Sequence, residues 1–155
     1  MPELSRARLQ AGLPFVVLGL ACVIAGGLVA AVTAHAPTQS ASWAAAYLVL
    51  VGGVAALGFG VGQAVLASTV PTPRQVGLQL GAWYAGNAAV IVGTLVDNTL
   101  LVDLGGLLLV VALVLLVLGV RGAGHGTPGW ALLAYRGLVV LLLVSIPVGL
   151  VLAHT

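Results

Sequence analysis

The chain has 155 residues, 61% of them hydrophobic and 5% charged, with a mean hydropathy of +1.24. A water-soluble domain carries about 25% charged residues, so this composition excludes a globule in water and makes lipid the solvent. The net charge of +2 is the balance of five arginines against three acidic residues, and the arginines are spread along the chain, which argues against a nucleic-acid partner because such proteins gather basic residues on one face.

Five apolar runs follow in chain order. The first extends from Gly12 to Ala34 behind a short polar start with Arg6 and Arg8, and Pro14 sits in its first turn, where a missing N–H does little harm. Val32-Thr33-Ala34 would suit signal-peptide cleavage, but the run is long enough to cross the roughly 30 Å hydrocarbon core, and a retained span is the preferred reading. The second run, Trp43 to Ala67, is entered through Ala36-Pro37-Thr38-Gln39-Ser40 and left through Ser68 to Arg74, both turn-like. The third, Gln75 to about Val96, and the fourth, about Leu104 to Val120, form a hairpin through Asp97-Asn98-Thr99. A glycine-rich segment holding His125 leads to the fifth, Trp130 to Ala153.

Runs of 17 to 25 residues without strict alternation are helices, since barrel strands alternate over about ten residues. The expectation is an all-α integral membrane protein, one domain over residues 1–155, built as a five-helix bundle. Arg6, Arg8, Arg74, Arg121 and Arg136 then fall at one end, with Asp97 and Asp103 at the other. The positive-inside rule puts the N-terminus inside and the C-terminus outside. Abundant Ala, Val, Gly, Leu and Arg without lysine suggests a GC-rich bacterial genome and a bacterial plasma membrane.

Membrane helices associate through close approach at small residues, because Leu against Leu gains little over Leu against an acyl chain. Gly52, Ala56, Gly60 and Ala64 form such a ridge on the second run. Gly77, Gly81, Ala85, Ala89 and Gly93 form one on the third, and Cys22, Gly26 and Ala30 a shorter one on the first. The second and third helices are therefore expected to be the closest pair, with Gly60 facing the Gly81–Ala85 level. The fourth run lacks such a ridge between Leu107 and Leu118 and is expected to be peripheral.

Gln79, Trp83 and Asn87 lie on the third run at four-residue spacing, displaced by two residues from its small ridge. At 100° per residue the two stripes occupy nearly opposite faces, so this helix is expected to be central. Asn87 near mid-membrane suits an interhelical hydrogen bond, or ligand or subunit contact. Gln63, Gln79 and Arg136 lie at similar depth and could form an anion or headgroup site; alternatively Arg136 snorkels to the interface.

Ordinary hydrolytic catalysis is disfavoured. Glu3 is the only glutamate, Ser145 has no histidine at its depth, and Gly58-Phe59-Gly60-Val61-Gly62 lies inside an apolar helix, not in a phosphate-binding loop. His35, Asp97, Asp103 and His154 fall on the outer side, where they could bind a transition metal or simply cap helices and meet water. The pairing of His35 with His154 is one expectation of that arrangement. Leu80 to Asn87 resembles helices of shortened haem–copper-oxidase-like membrane proteins over about one helix. Histidines are absent from the helix interiors, so no haem is assigned.

The leading expectation is a non-catalytic accessory or assembly subunit of a membrane complex, or a homo-oligomeric bundle. It would have the bilayer and a membrane-protein partner or its own copy for company, and no required cofactor. The alternatives are a small-solute transporter or ligand binder using Gln63, Gln79, Trp83, Asn87 and Arg136, and a metal- or haem-associated redox component using the outer histidines.

Overall fold

A computed structural model describes residues 2–121 and 129–153, and these are helical throughout apart from short turns, with no strand among them. Helix α1 spans Pro2–Thr33, α2 Gln39–Tyr47, α3 Ala56–Leu66, α4 Pro73–Leu95, α5 Thr99–Gly119 and α6 Gly129–Ala153. Leu48–Ala55, between α2 and α3, is wound as a π-helix, so Gln39–Leu66 runs as one 28-residue helix with a wide middle.

Four helices are long and apolar enough to cross a membrane: those covering Arg6–Thr33, Gln39–Leu66, Thr99–Gly119 and Gly129–Val148. Helix α4 is 23 residues long, but Gln75, Gln79, Trp83, Tyr84 and Asn87 make it the more polar one. Leu20, Ile24 and Leu28 on α1, Leu107, Val111 and Val114 on α5, and Leu133, Leu141 and Val144 on α6 stand exposed. Continuous apolar surface of that extent would drive aggregation in water, and acyl chains are its natural cover.

Local capping starts and stops these helices. Thr72 and Gln75 form a capping box at the start of α4, with Pro73 at the first helical position, which satisfies two orphan N–H groups where proline costs nothing. At its other end Asp97 adopts φ 52°, and the Asn98 N–H donates to the Gly93 carbonyl at 2.8 Å. That bond closes a Schellman turn, and Asp is one of the few residues that accept the left-handed region. Asn98 Oδ1 then accepts from the Leu101 N–H at 3.1 Å, so α5 starts at Thr99 and not near Leu104 as the hydropathy implied.

Two antiparallel pairs make up most of the packing: α1 against the Gln39–Leu66 helix, and α4 against α5. In the first, glycines seven apart face each other. A Cβ on Gly12 would meet the Gly60 carbonyl oxygen at 2.5 Å, one on Gly19 the Gly53 oxygen at 3.0 Å, and one on Gly26 the Ala45 oxygen at 2.8 Å. Backbone thus lies on backbone along the whole pair, the approach that gives membrane helices their dispersion energy. In the second pair, a Cβ on Gly105 would lie 2.8 Å from the Gly86 oxygen, and one on Gly93 2.8 Å from the Val102 nitrogen. Helix α6 closes the bundle against α3 and α5, with Tyr135 packed over Gly62.

Three packing expectations are corrected. Gly60 meets α1, not α4. Helix α5 is central, because Gly105, Gly106, Leu109, Ala112, Leu113 and Leu116 are all buried. On α4, Gly77 and Gly81 are exposed, with nothing within 4 Å of a Cβ built on either. The buried stripe of α4 is Val76, Gln79, Trp83, Gly86 and Asn87. An amide left in hydrocarbon without a partner costs several kilocalories, roughly 2–7 kcal/mol, whereas glycine facing lipid forfeits only dispersion. The amide stripe therefore turns inward and carries Gly77, Gly81 and Ala85 outward, while Gly93 at the far end of the small stripe stays buried against α5.

Candidate functional site

The interior polar groups gather where α3, α4 and α5 meet. Gln63, Gln79, Trp83 and Asn87 are at most 4% exposed. Gln63 Nε2 donates to Gln79 Oε1 at 3.0 Å, and Gln79 Nε2 donates to the Leu115 carbonyl at 3.0 Å. One amide relay thus ties three helices together. Asn87 Nδ2 is used within its own helix, donating to the Trp83 carbonyl at 2.8 Å.

Aromatic rings wall this relay. Phe59 stands edge-on to Trp83 with ring centroids 5.0 Å apart and to Tyr135 at 6.0 Å, the geometry that sets a positive ring edge against a negative face. The Tyr135 hydroxyl donates to the Leu116 carbonyl at 3.1 Å, and the Tyr84 hydroxyl reaches the Gly52 carbonyl in the π-helical segment at 3.4 Å. Gln63 Oε1, Trp83 Nε1 and Asn87 Oδ1 remain without hydrogen-bond partners. One acceptor on α3 and an acceptor and a donor on the inner face of α4 match what a small polar guest or a buried water would need.

A cleft of about 200 Å³ leads toward the relay from the arginine end, lined by Thr69, Pro71, Gln75, Gln79, Leu115 and Arg121 among others. The loops there are pinned: an Arg8 guanidinium nitrogen donates to the Ser68 carbonyl at 3.0 Å, and Ser68 Oγ donates to the Arg121 carbonyl at 3.2 Å. Arg74 follows in the first turn of α4. Arg136 is exposed on α6 and shares a separate groove with Arg121. The structure therefore brings Gln63 and Gln79 together but gives Arg136 no hydrogen bond to either.

Among the described residues, His35, Asp97 and Asp103 are not brought together as a metal site. His35 is exposed in the turn after α1, Asp97 is the left-handed cap of α4, and Asp103 lies within α5. No three His, Cys, Asp or Glu side chains come close enough to hold a metal among the described residues. His125 and His154 lie outside the described residues, and with them the expected pairing of His35 and His154. Of the remaining glycines singled out by sequence, Gly52 packs on Cys22 and Gly93 on Val102.

Leu115, Phe59 and Tyr135 escaped sequence reasoning. Leu115 contributes only its backbone oxygen, which any residue would supply; the aromatics carried a signal, since a Tyr or Trp deep in a span needs a partner for its polar atom. No family model matches the chain, and no curated protein or solved structure matches it either.

Proposed function

We propose that this chain is a five-span protein of a bacterial plasma membrane that acts without catalytic chemistry as an accessory or assembly subunit, joining another membrane chain or its own copy through the outer face of α4. The observation that carries this reading is the line Gly77, Gly81 and Ala85, which is exposed while the opposite face of α4 is held by the amide relay. A helix that turns its small residues to lipid keeps open the close backbone approach on which membrane helices associate. Helix α4 as a fifth span is supported by connectivity: it starts at the arginine end, where α3 stops, and ends where α5 begins. Its 23 residues measure about 34 Å at 1.5 Å each, enough for the hydrocarbon core.

The test is association in the membrane. In a Cys22→Ala background, Gly81→Cys should form an oxidative cross-link to a second copy or to a co-purifying chain. Gly81→Ile should shift the assembly to lower mass without lowering thermal stability. A protein that stays monomeric and alone in mild detergent, with no cross-link, overturns the reading.

Orientation follows from the arginine end lying inside. A reporter active only outside the membrane is expected to work when fused after Thr155 and to fail after Arg121, and the reverse pattern would invert the assignment.

A second reading, a small-solute transporter or ligand binder, is favoured by the cleft that reaches Gln79 and by the unpartnered Gln63 Oε1, Trp83 Nε1 and Asn87 Oδ1. Solute-dependent thermal stabilisation that Asn87→Leu abolishes would select it over the subunit reading. A redox role rests on His35 and His154 alone; bound transition metal or a haem absorption band in the purified protein would revive it.

A further inference from the structure

The groove between the end of α5 and the start of α6 contains neither amide of the relay and no residue of α4, though it shares Tyr135 with the aromatic wall and Arg121 with the cleft. It has a volume of about 440 Å³ and is walled by Val117, Leu132, Val139 and Val140, with Arg121 and Arg136 at its polar margin. No acidic residue lines it, and neither guanidinium has a hydrogen-bond or ion-pair partner among the described residues. The Arg121 backbone is fixed by the Ser68 hydroxyl, so this arginine projects from a pinned point.

We infer that this groove binds one anionic phospholipid, its phosphate between the Arg121 and Arg136 guanidiniums and an acyl chain along the valine and leucine wall. The occupant follows from complementarity. Two cations without a partner among the described residues, beside an apolar trough, suit a ligand that is anionic at one end and aliphatic below, and guanidinium matches phosphate with paired N–H donors. Anionic phospholipids are constituents of cytoplasmic leaflets, and each basic residue near an anionic surface adds to the hold on them. The inference rests on the membrane-spanning reading but not on the subunit reading.

The experiment is native mass spectrometry of the detergent-purified full chain titrated with phosphatidylglycerol, phosphatidylcholine or inorganic phosphate. The wild type should retain phosphatidylglycerol in preference to phosphatidylcholine. Arg121→Gln and Arg136→Gln should each weaken it about fivefold, and Val140→Trp, at an exposed position of the wall, should weaken it by filling the trough. Millimolar inorganic phosphate should not displace it, since free phosphate lacks the acyl contact. Equal retention of the two lipids, unchanged binding in both arginine variants, or displacement by inorganic phosphate would each overturn the inference. Carbonate washing of membranes separates the two premises. A protein that stays in the bilayer yet shows no phosphatidylglycerol preference fails the lipid site alone, and one released by the wash fails the spanning reading.

Discussion

Gly105→Leu should give the largest loss of stability of any single substitution on α5, while Gly81→Leu on the neighbouring α4 leaves thermal stability near wild type. A Cβ at 105 would lie 2.8 Å from the Gly86 carbonyl oxygen and 2.8 Å from the Val90 nitrogen. Both are helix backbone, which has no rotamer to yield, so α4 and α5 must separate along their length. Overpacking of this kind costs about 1–3 kcal/mol and occasionally more, and for a chain of this size the melting midpoint in detergent should fall on the order of 10 °C. At position 81 nothing stands within 4 Å. Leu also exceeds Gly in helix propensity by several tenths of a kilocalorie, up to about 1 kcal/mol, which works in favour of the folded state. Gly105→Ala should already show part of the loss, because the clash begins at Cβ. Equal melting midpoints for Gly105→Leu and Gly81→Leu would refute the α4–α5 packing.

The second large effect is a strong departure from additivity at the amide relay. Gln79→Leu removes the acceptor for Gln63 Nε2 and strands that buried amide, and Gln63→Leu leaves Gln79 Oε1 without its donor. Each single substitution should cost about 1–3 kcal/mol through the unsatisfied group left behind. The double substitution replaces both partners with apolar groups and should cost clearly less than the sum. A coupling of about 0.6–2 kcal/mol is the range for membrane hydrogen bonds. Gln79 also donates to the Leu115 carbonyl, so Gln79→Leu should be the more costly single change. Chemical denaturation of all four proteins in one detergent measures the cycle, and strict additivity would mean that the two glutamines are not partners.

Both effects come from positions whose residue type was visible in sequence while their neighbours were not. Gln63 and Gln79 were placed at one depth by counting from the helix ends, and they do meet at 3.0 Å. The same counting placed Arg136 with them, yet it lies outside in a groove with Arg121. Depth fixes distance along the membrane normal and says nothing about the rotation of a helix, and a long cationic side chain gains more from the interface than from the interior. The glycine ridges show a similar limit. Four-residue spacing singled out Gly77 and Gly81, which are exposed, and of the α1 glycines it caught only Gly26; Gly12 and Gly19 were passed over, although the seven-residue spacing of all three is the one that meets Gly60, Gly53 and Ala45.

Sequence by itself determined what each residue exchanges with its solvent. Hydropathy marked five apolar runs, four of which lie on helices long and apolar enough to cross a membrane, and turn chemistry such as Thr72-Pro73 and Asp97-Asn98 marked where chains stop and start. Charge drew the arginines to one end. These are properties of a residue and its immediate chain neighbours. Which face of α4 turns inward, that α5 is central, and that Tyr135 and the Leu115 carbonyl complete the polar interior were decided only by tertiary structure. In lipid, both faces of an apolar helix are nearly equal in solvation. The choice then falls to close backbone approach and to the partners available for a few buried amides, and those depend on two helices at once.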